Sequence, residues 1–140
     1  FNAGGKSVTK HIGALEDNQW IDFDNDFFGM SLAEASVLCP CHRVALECST
    51  ELLSQAGYRS HESLRGIRHM YLLVADIGLD WDHFVGFNPG QNQNHDAWLK
   101  AGHLANSISS ANRLNFTLGL EGPSMAVDTA CSASMVGTCM

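Results

Sequence analysis

With 140 residues, of which 45% are hydrophobic, the chain is long enough to form one modest domain with its own core. Its formal net charge of −7 argues against nucleic acid or an anionic membrane surface as a main partner. No apolar run reaches the ~18 residues expected of a membrane span, and no secretory signal pattern opens the sequence. The five cysteines are an odd number, which indicates free thiols and an intracellular location, most simply the cytoplasm.

The first third of the chain predicts a loop followed by two helices. Residues 1–20 are polar and contain glycine, which is typical of a loop. Ser31 and Glu34 have the spacing of a capping box, so a short helix should begin there. Pro40 suits the first turn of a second helix, and Gly57 suits its end. We expect the apolar side chains on one face of that second helix to face the core: Val44, Ala45, Cys48 and Leu52.

The middle of the chain alternates between an apolar strand and helical segments. Met70–Ala75 is continuously apolar, which predicts a strand covered on both sides. Asp76–Asn94 is rich in glycine, asparagine and aspartate and predicts a long surface loop. Two short helical segments should follow, at Trp98–Gly102 and Ser107–Phe116. This alternation predicts an α/β fold with a mostly parallel central sheet.

In the run GPSMAVDTACSAS, from Gly122 to Ser134, one cysteine follows directly after a predicted strand. The strand is predicted at Met125–Ala130, and the small residues after Cys131 suit a tightly packed helix. At the start of a helix, Cys131 would be favoured as a thiolate by the helix dipole, and the first backbone N–H groups would be placed to hold an oxyanion. A buried cysteine that merely packs as a small hydrophobe is the alternative.

Three further motifs are weaker. Gly5-Lys6-Ser7 matches the end of a phosphate-binding loop but lacks the preceding strand and first glycine. The segment Asp22–Asp26 begins like a calcium loop, yet Phe27 and Ala33 occupy the required glycine and glutamate positions. The closely spaced pair Cys39 and Cys41, next to His42 and near Cys48, lacks a second pair at zinc-finger spacing. We therefore expect no metal site.

Several segments together resemble the β-ketoacyl synthases, in the form found in type I polyketide synthases. The cysteine run resembles the nucleophile signature of that family, FDNDFFGMS at Phe23–Ser31 resembles its FFGIS stretch, and ANRLNF at Ala111–Phe116 resembles its ANRISY stretch. Glu34-Ala35, Pro40, Arg43, Leu46-Glu47 and Ala56-Gly57-Tyr58 match its intervening helices. Departures occur at Cys39, Cys41 and His42, where the family usually has an aspartate and glutamines, and after the strand at Met70–Ala75.

The resemblance implies a thiolase-like layered α/β sandwich of which residues 1–140 are the first part, up to just past the nucleophile. The family's two catalytic histidines lie in the later half of the domain, so we assign none of the seven histidines here to catalysis. From Phe1 at the start and the short stretch after Cys131 we expect the domain to continue at both ends, so organelle targeting stays open. Support roles are expected for the neighbours Asp128, Thr129, Ala130 and Ser132, and backbone hydrogen bonds for Asn112 and Arg113.

The implied activity is acyl transfer followed by decarboxylative condensation. Cys131 would accept an acyl group from the phosphopantetheine arm of an acyl carrier protein, and a malonyl-type extender would then attack it. The chain itself is expected to bind no cofactor, and on its own to be acylated at best. A homodimer is implied, with Met125–Val127 near the two-fold axis. A fatty acid synthase parent, or a non-elongating ketosynthase that binds carrier protein, remains the alternative.

Overall fold

A computed structural model describes residues 13–16, 21–65, 67–76 and 107–140. The predicted phosphate-loop motif, the helix at Trp98–Gly102 and most of the loop at Asp76–Asn94 lie outside these ranges. The described elements comprise five helices, a 3₁₀ turn and two strands: α1 (Leu32–Val37), α2 (Pro40–Gln55), α3 (His61–Leu64), β1 (Leu72–Ala75), α4 (Ser107–Leu118), β2 (Ser124–Val127), the 3₁₀ turn (Ala130–Ser132) and α5 (Ala133–Cys139).

The two strands pair in parallel, as predicted, with Leu72 opposite Ser124 and Ala75 opposite Val127. Backbone hydrogen bonds extend the pairing at both ends, from Leu72 N–H to the Pro123 carbonyl (3.0 Å) and from Asp76 N–H to the Val127 carbonyl (3.2 Å). Both strands are shorter than predicted. Residues 128–130 leave β2 because they form the turn that leads into α5.

Among the residues that the structure describes, strand β1 is not completely covered on both sides, which differs from the prediction. Its residues alternate between half-buried and exposed, as expected when successive side chains point to opposite faces of the sheet. Leu72 packs against the core, whereas Leu73 faces Gly137 of α5. In the described part of the chain, α5 covers the second face, and Leu73 stays 37% exposed. The layers are therefore helix, sheet and a short second helix.

The core lies between α2, α4 and the inner face of the sheet. Leu46 of α2 and Leu114 and Leu118 of α4 are almost completely buried and form its centre. Burying a leucine side chain contributes on the order of 1.5–3 kcal/mol, so this cluster is the main apolar stabilisation of the described part. Its members are Phe28, Met30, Leu38, Leu46, Leu53, Leu64, Ile67, Leu114, Leu118 and Leu120.

The buried face of α2 differs from the predicted one. His42, Leu46 and Leu53 are buried, whereas the predicted core residues Cys48 and Leu52 are exposed, and Val44 and Ala45 are half-buried. The prediction used apolar residues alone, so it did not place a histidine on the buried face of α2. His42 is accommodated there because its ring nitrogen meets the hydroxyl of Ser110 on α4, 2.7 Å away.

The predicted ends of the helices are largely confirmed. Ser31 Oγ accepts the Glu34 N–H at 3.2 Å, and Pro40 occupies the first position of α2. Gly57 follows the C-cap residue Ala56 and adopts a φ of 102°, a conformation that glycine takes without strain. In a complete capping box the Glu34 carboxylate would accept the N–H of Ser31. That carboxylate pairs with Arg113 instead.

Arg113 ties α4 to α1. Its side chain is 5% exposed and donates to Glu34 Oε1 at 2.5 Å and to Met30 Sδ at 3.4 Å. Its role is structural, as predicted, but its partners are side chains rather than the backbone. Asn112 likewise uses a side-chain contact, accepting from Ser124 Oγ at 3.0 Å at the start of β2. These contacts fix α4 against both α1 and the sheet.

Candidate active site

Cys131 lies where β2 gives way to α5. The strand ends at Val127, the 3₁₀ turn covers Ala130–Ser132, and α5 begins at Ala133. The structure therefore places Cys131 on the predicted strand-to-helix turn, with its side chain exposed and its sulfur free. An exposed thiol is accessible to a substrate, which does not favour the alternative that Cys131 packs as a buried hydrophobe.

The turn is built by the four residues that flank the cysteine. Asp128 Oδ1 accepts the Ala130 N–H at 3.2 Å, and Ser132 Oγ donates to the Thr129 carbonyl at 2.7 Å. Ala130 has a φ of 51°, a left-handed conformation that costs a residue with a Cβ roughly 1–2 kcal/mol. Such strained backbone is concentrated at functional turns, where the surrounding hydrogen bonds hold it.

The predicted oxyanion donors are only partly available. The N–H of Ala130 donates to Asp128, that of Ser132 to the Thr129 carbonyl, and that of Ala133 to the Ala130 carbonyl. Since these three groups are engaged within the turn, the sequence-based expectation that the first helical amides receive an oxyanion is wrong for them. The amide of Cys131 itself is the remaining candidate in the turn.

The strand beneath the turn is held by a close backbone contact at its other end. A Cβ placed on Gly122 would lie 1.8 Å from the Met70 carbonyl oxygen. Glycine is therefore required for the segment that precedes β2 to approach the segment that precedes β1 this closely. Asn115 of α4 donates to the Gly122 carbonyl at 2.8 Å. These contacts set the register of β2 and therefore the position at which Cys131 emerges.

The sequence profile described as beta-ketoacyl synthase, N-terminal domain, matches residues 2–139. The chain belongs to the β-ketoacyl synthase family. The match spans nearly the whole chain, including the strand, the turn and Cys131, so the resemblance inferred from short motifs is confirmed for the whole sequence.

Curated relatives of this β-ketoacyl synthase chain are polyketide synthases. A phenolphthiocerol/phthiocerol polyketide synthase protein of Mycobacterium bovis is 39% identical over 139 residues, covering 96% of this chain and 7% of that protein. Erythronolide synthase EryA2 of Saccharopolyspora erythraea is 38% identical over 133 residues, covering 94% of this chain and 3% of that protein. The chain thus spans less than a tenth of these relatives, and their type agrees with the predicted polyketide group.

Solved ketosynthases have the same fold. The ketosynthase from module 6 of the bacillaene synthase of Bacillus subtilis 168 is 27% identical, with a TM-score of 0.64 over 89% of this chain and 19% of that one. The oxazolomycin ketosynthase domain OzmH KS7 of Streptomyces albus is 30% identical, with a TM-score of 0.56 over 83% of this chain and 19% of that one. The predicted thiolase-like layered α/β fold is confirmed.

A partly buried polar chain at the carboxyl end of β1 was not predicted. His42 Nε2 lies 2.7 Å from Ser110 Oγ, and the Ser110 hydroxyl donates to Asp76 Oδ2. Because that hydroxyl proton points to the carboxylate, we assign Nε2–H as the donor to the Ser110 oxygen. Within the described residues Nδ1 has no hydrogen-bond partner. The sequence signal for this contact was a histidine and a serine, 68 residues apart, each on the buried face of its helix.

Acidification is expected to weaken the fold through His42. Burial lowers the pKa of His42 below its ordinary 6.5, with nearby Arg113 acting in the same direction and Asp76 opposing. As the pH falls through about 6.5, His42 becomes protonated in the unfolded chain but stays neutral in the folded chain. The contribution of His42 to the free energy of unfolding is therefore full above pH 6.5 and is lost as the pH falls. One proton accounts for at most about 1.4 kcal/mol per pH unit.

Urea unfolding between pH 7.5 and pH 5 measures this effect. The free energy of unfolding should fall less steeply with acidification in His42→Gln than in the wild type, even if the variant is less stable at every pH. Equal slopes in the two proteins would show that His42 is not the group responsible.

The acidic segment before α1 is used in local structure. Asp24 Oδ1 accepts the Phe27 N–H at 2.9 Å, and Asn25 Nδ2 donates to Asp26 Oδ1 at 3.0 Å. Within the described ranges, no three histidine, cysteine or acidic side chains are grouped in a way that would hold a metal ion. No helix among the same residues is both long and apolar enough to cross a membrane.

Proposed function

We propose that Cys131 is the acyl-accepting nucleophile of a polyketide ketosynthase. The Cys131 thiolate attacks the carbonyl carbon of an acyl thioester, a new S–C bond forms, and the pantetheine thiolate leaves and takes up a proton. The observation that supports this most strongly is the exposed thiol on a strained, hydrogen-bonded turn at the end of a parallel strand, within a chain of the β-ketoacyl synthase family.

Condensation is proposed as the second step of the same site. A malonyl-type thioester loses carbon dioxide, and its carbanion attacks the acyl carbonyl on Cys131, so that the cysteine leaves as thiolate and a β-ketoacyl thioester forms. We propose that residues 1–140 contribute the nucleophile to a larger ketosynthase domain, since the matched solved ketosynthases are about five times as long as the matched segment. This follows the general chemistry of the family.

The proposed partner is an acyl carrier protein whose phosphopantetheine arm delivers both thioesters, so the prosthetic group belongs to the partner.

Dimerisation is proposed through the apolar strip beside β2, where Tyr71, Leu73 and Met125 are exposed along a groove of about 280 Å³. Of the predicted interface residues, Met125 is exposed and Val127 is buried. The five cysteines are free, which suits a reducing compartment such as the cytoplasm.

The experiment is transfer of an acyl group from a soluble acyl-pantetheine thioester to the protein that carries this sequence. Intact mass spectrometry should show one added acyl group, and peptide mapping should place it on Cys131. Acylation of any other cysteine, with Cys131 unmodified, would exclude the proposal.

A further inference from the structure

The polar chain of His42, Ser110 and Asp76 joins three elements of the fold at one point. His42 belongs to α2, Ser110 belongs to α4, and Asp76 is the residue directly after β1. His42 Nε2 lies 2.7 Å from Ser110 Oγ, and the Ser110 hydroxyl donates to Asp76 Oδ2. His42 and Ser110 are only 2% and 1% exposed. Water therefore competes little for the hydrogen bond between them.

The polar chain ends where the two strands end. The backbone N–H of Asp76 donates to the Val127 carbonyl at 3.2 Å, directly after the paired residues Ala75 and Val127. Val127 is the last residue of β2, and Cys131 follows it by four residues. Asp76 is thus held by its side chain to α4, and through Ser110 to α2, while its backbone holds the strand that leads into the turn. A shift of Asp76 is passed on to Val127.

The turn that follows needs a fixed strand end. Ala130 has a φ of 51°, and Asp128 Oδ1 accepts its N–H at 3.2 Å. A residue with a Cβ keeps such a conformation only where its surroundings hold it there. Asp128 is the direct neighbour of Val127, so the position of its carboxylate depends on where β2 ends. The geometry at Cys131 therefore depends on the hydrogen bond between Asp76 and Val127.

From these contacts we propose that His42, Ser110 and Asp76 are positioning residues for Cys131. They hold the carboxyl ends of β1 and β2 together, so that the turn presents the thiol in the geometry that acyl transfer needs. This role rests on the proposed function of Cys131 as the acyl acceptor. The three residues act through the Val127 backbone and the turn rather than by contact with the thioester. A misplacement of about 1 Å can slow a reaction by about 100-fold, even when the substitution lies far from the reacting atoms.

His42→Leu and His42→Gln separate positioning from packing. Leucine fills a similar volume but has no donor, whereas the glutamine amide nitrogen lies as many bonds from Cβ as His42 Nε2 and can donate to Ser110. At saturating acyl-pantetheine thioester, the rate constant for acylation of Cys131 in the protein that carries this sequence should fall about tenfold in His42→Leu. It should stay within about twofold of the wild type in His42→Gln. The half-saturating thioester concentration should not change in either variant.

A double variant and a core control distinguish this role from a general loss of stability. Ser110→Ala removes the middle of the polar chain and should slow acylation as much as His42→Leu, with no further loss when the two are combined. Leu64→Ala is the matched control, because Leu64 is a core residue of α3 that is 3% exposed, and its truncation destabilises the fold. Below its unfolding transition, Leu64→Ala should be acylated at the wild-type rate.

Amide hydrogen exchange measures the link to the strands without any thioester. The Asp76 N–H should exchange at least about tenfold faster in His42→Leu than in the wild type, and at the wild-type rate in His42→Gln. The Leu72 N–H is the internal control, since it donates to the Pro123 carbonyl at the opposite end of the same pairing. Its exchange should be the same in all three proteins.

The outcomes separate the two proposals. A wild-type protein that is not acylated at Cys131 would overturn the proposed function, and the positioning role with it. Acylation of the wild type together with an unchanged rate in His42→Leu would overturn the positioning role alone. An equal loss of rate in His42→Gln and His42→Leu, or unchanged exchange of the Asp76 amide in His42→Leu, would do the same.

Discussion

Cys131→Ala is expected to abolish acyl transfer to the protein while leaving the fold in place. Removal of the attacking sulfur eliminates the covalent bond that the acyl group forms with the enzyme, so the rate should fall by up to about 10⁶-fold, the scale found when a catalytic nucleophile is deleted. The side chain is exposed, and truncation of an exposed side chain changes the free energy of unfolding by only about 0.5 kcal/mol. Loss of activity and loss of stability are therefore separable.

The measurement pairs an acylation assay with urea unfolding of the same samples. Cys139→Ala is the matched control, since Cys139 is an exposed free thiol at the far end of α5, and this variant should be acylated at the wild-type rate. Four of the five cysteines are exposed and can react with alkylating reagents, so the assay must use an acyl thioester and map the modified residue. A large stability loss in Cys131→Ala would favour a packing role instead.

Local patterns were sufficient to predict the features that lie close together in sequence. The turn around Cys131 was predictable because the strand, the small residues and the cysteine lie within one short run, from Gly122 to Ser134. Pro40 and Gly57 fix the ends of α2 through their own backbone preferences, which act without a distant partner. These are properties of the residues themselves, so one sequence is enough to reveal them.

Contacts between distant segments were not predictable in the same way. Glu34 and Arg113 are 79 residues apart, and nothing in the local pattern around Glu34 distinguishes a capping carboxylate from one that binds α4. His42 and Ser110 are similar, and their hydrogen bond decides which face of α2 is buried. A polar residue on the buried face of a helix is recognised only once its hydrogen-bond partner is known. The buried face predicted for α2 was wrong for this reason.

Gly122→Ala is expected to disrupt the sheet. The added Cβ would lie 1.8 Å from the Met70 carbonyl oxygen and 2.9 Å from its carbonyl carbon, and backbone atoms cannot rotate away as a flexible side chain does. Either the chain before β1 or the entry to β2 must shift, and both carry the hydrogen bond between Leu72 and Pro123 that begins the pairing. Overpacking typically costs about 1–3 kcal/mol, and a clash with backbone belongs at or above the upper end.

The same substitution at Gly137 supplies a control with the opposite expected sign. A Cβ on Gly137 would meet Leu73 Cβ at 3.8 Å, an ordinary contact, within the interior of α5. Gly137→Ala should therefore raise the free energy of unfolding, by up to about 1 kcal/mol from helix propensity. Thermal unfolding of the two variants beside the wild type compares them directly. Gly122→Ala should lower the midpoint and, because β2 leads into the turn at Cys131, should also slow acyl transfer; equal midpoints for the two variants would contradict the close approach at Met70.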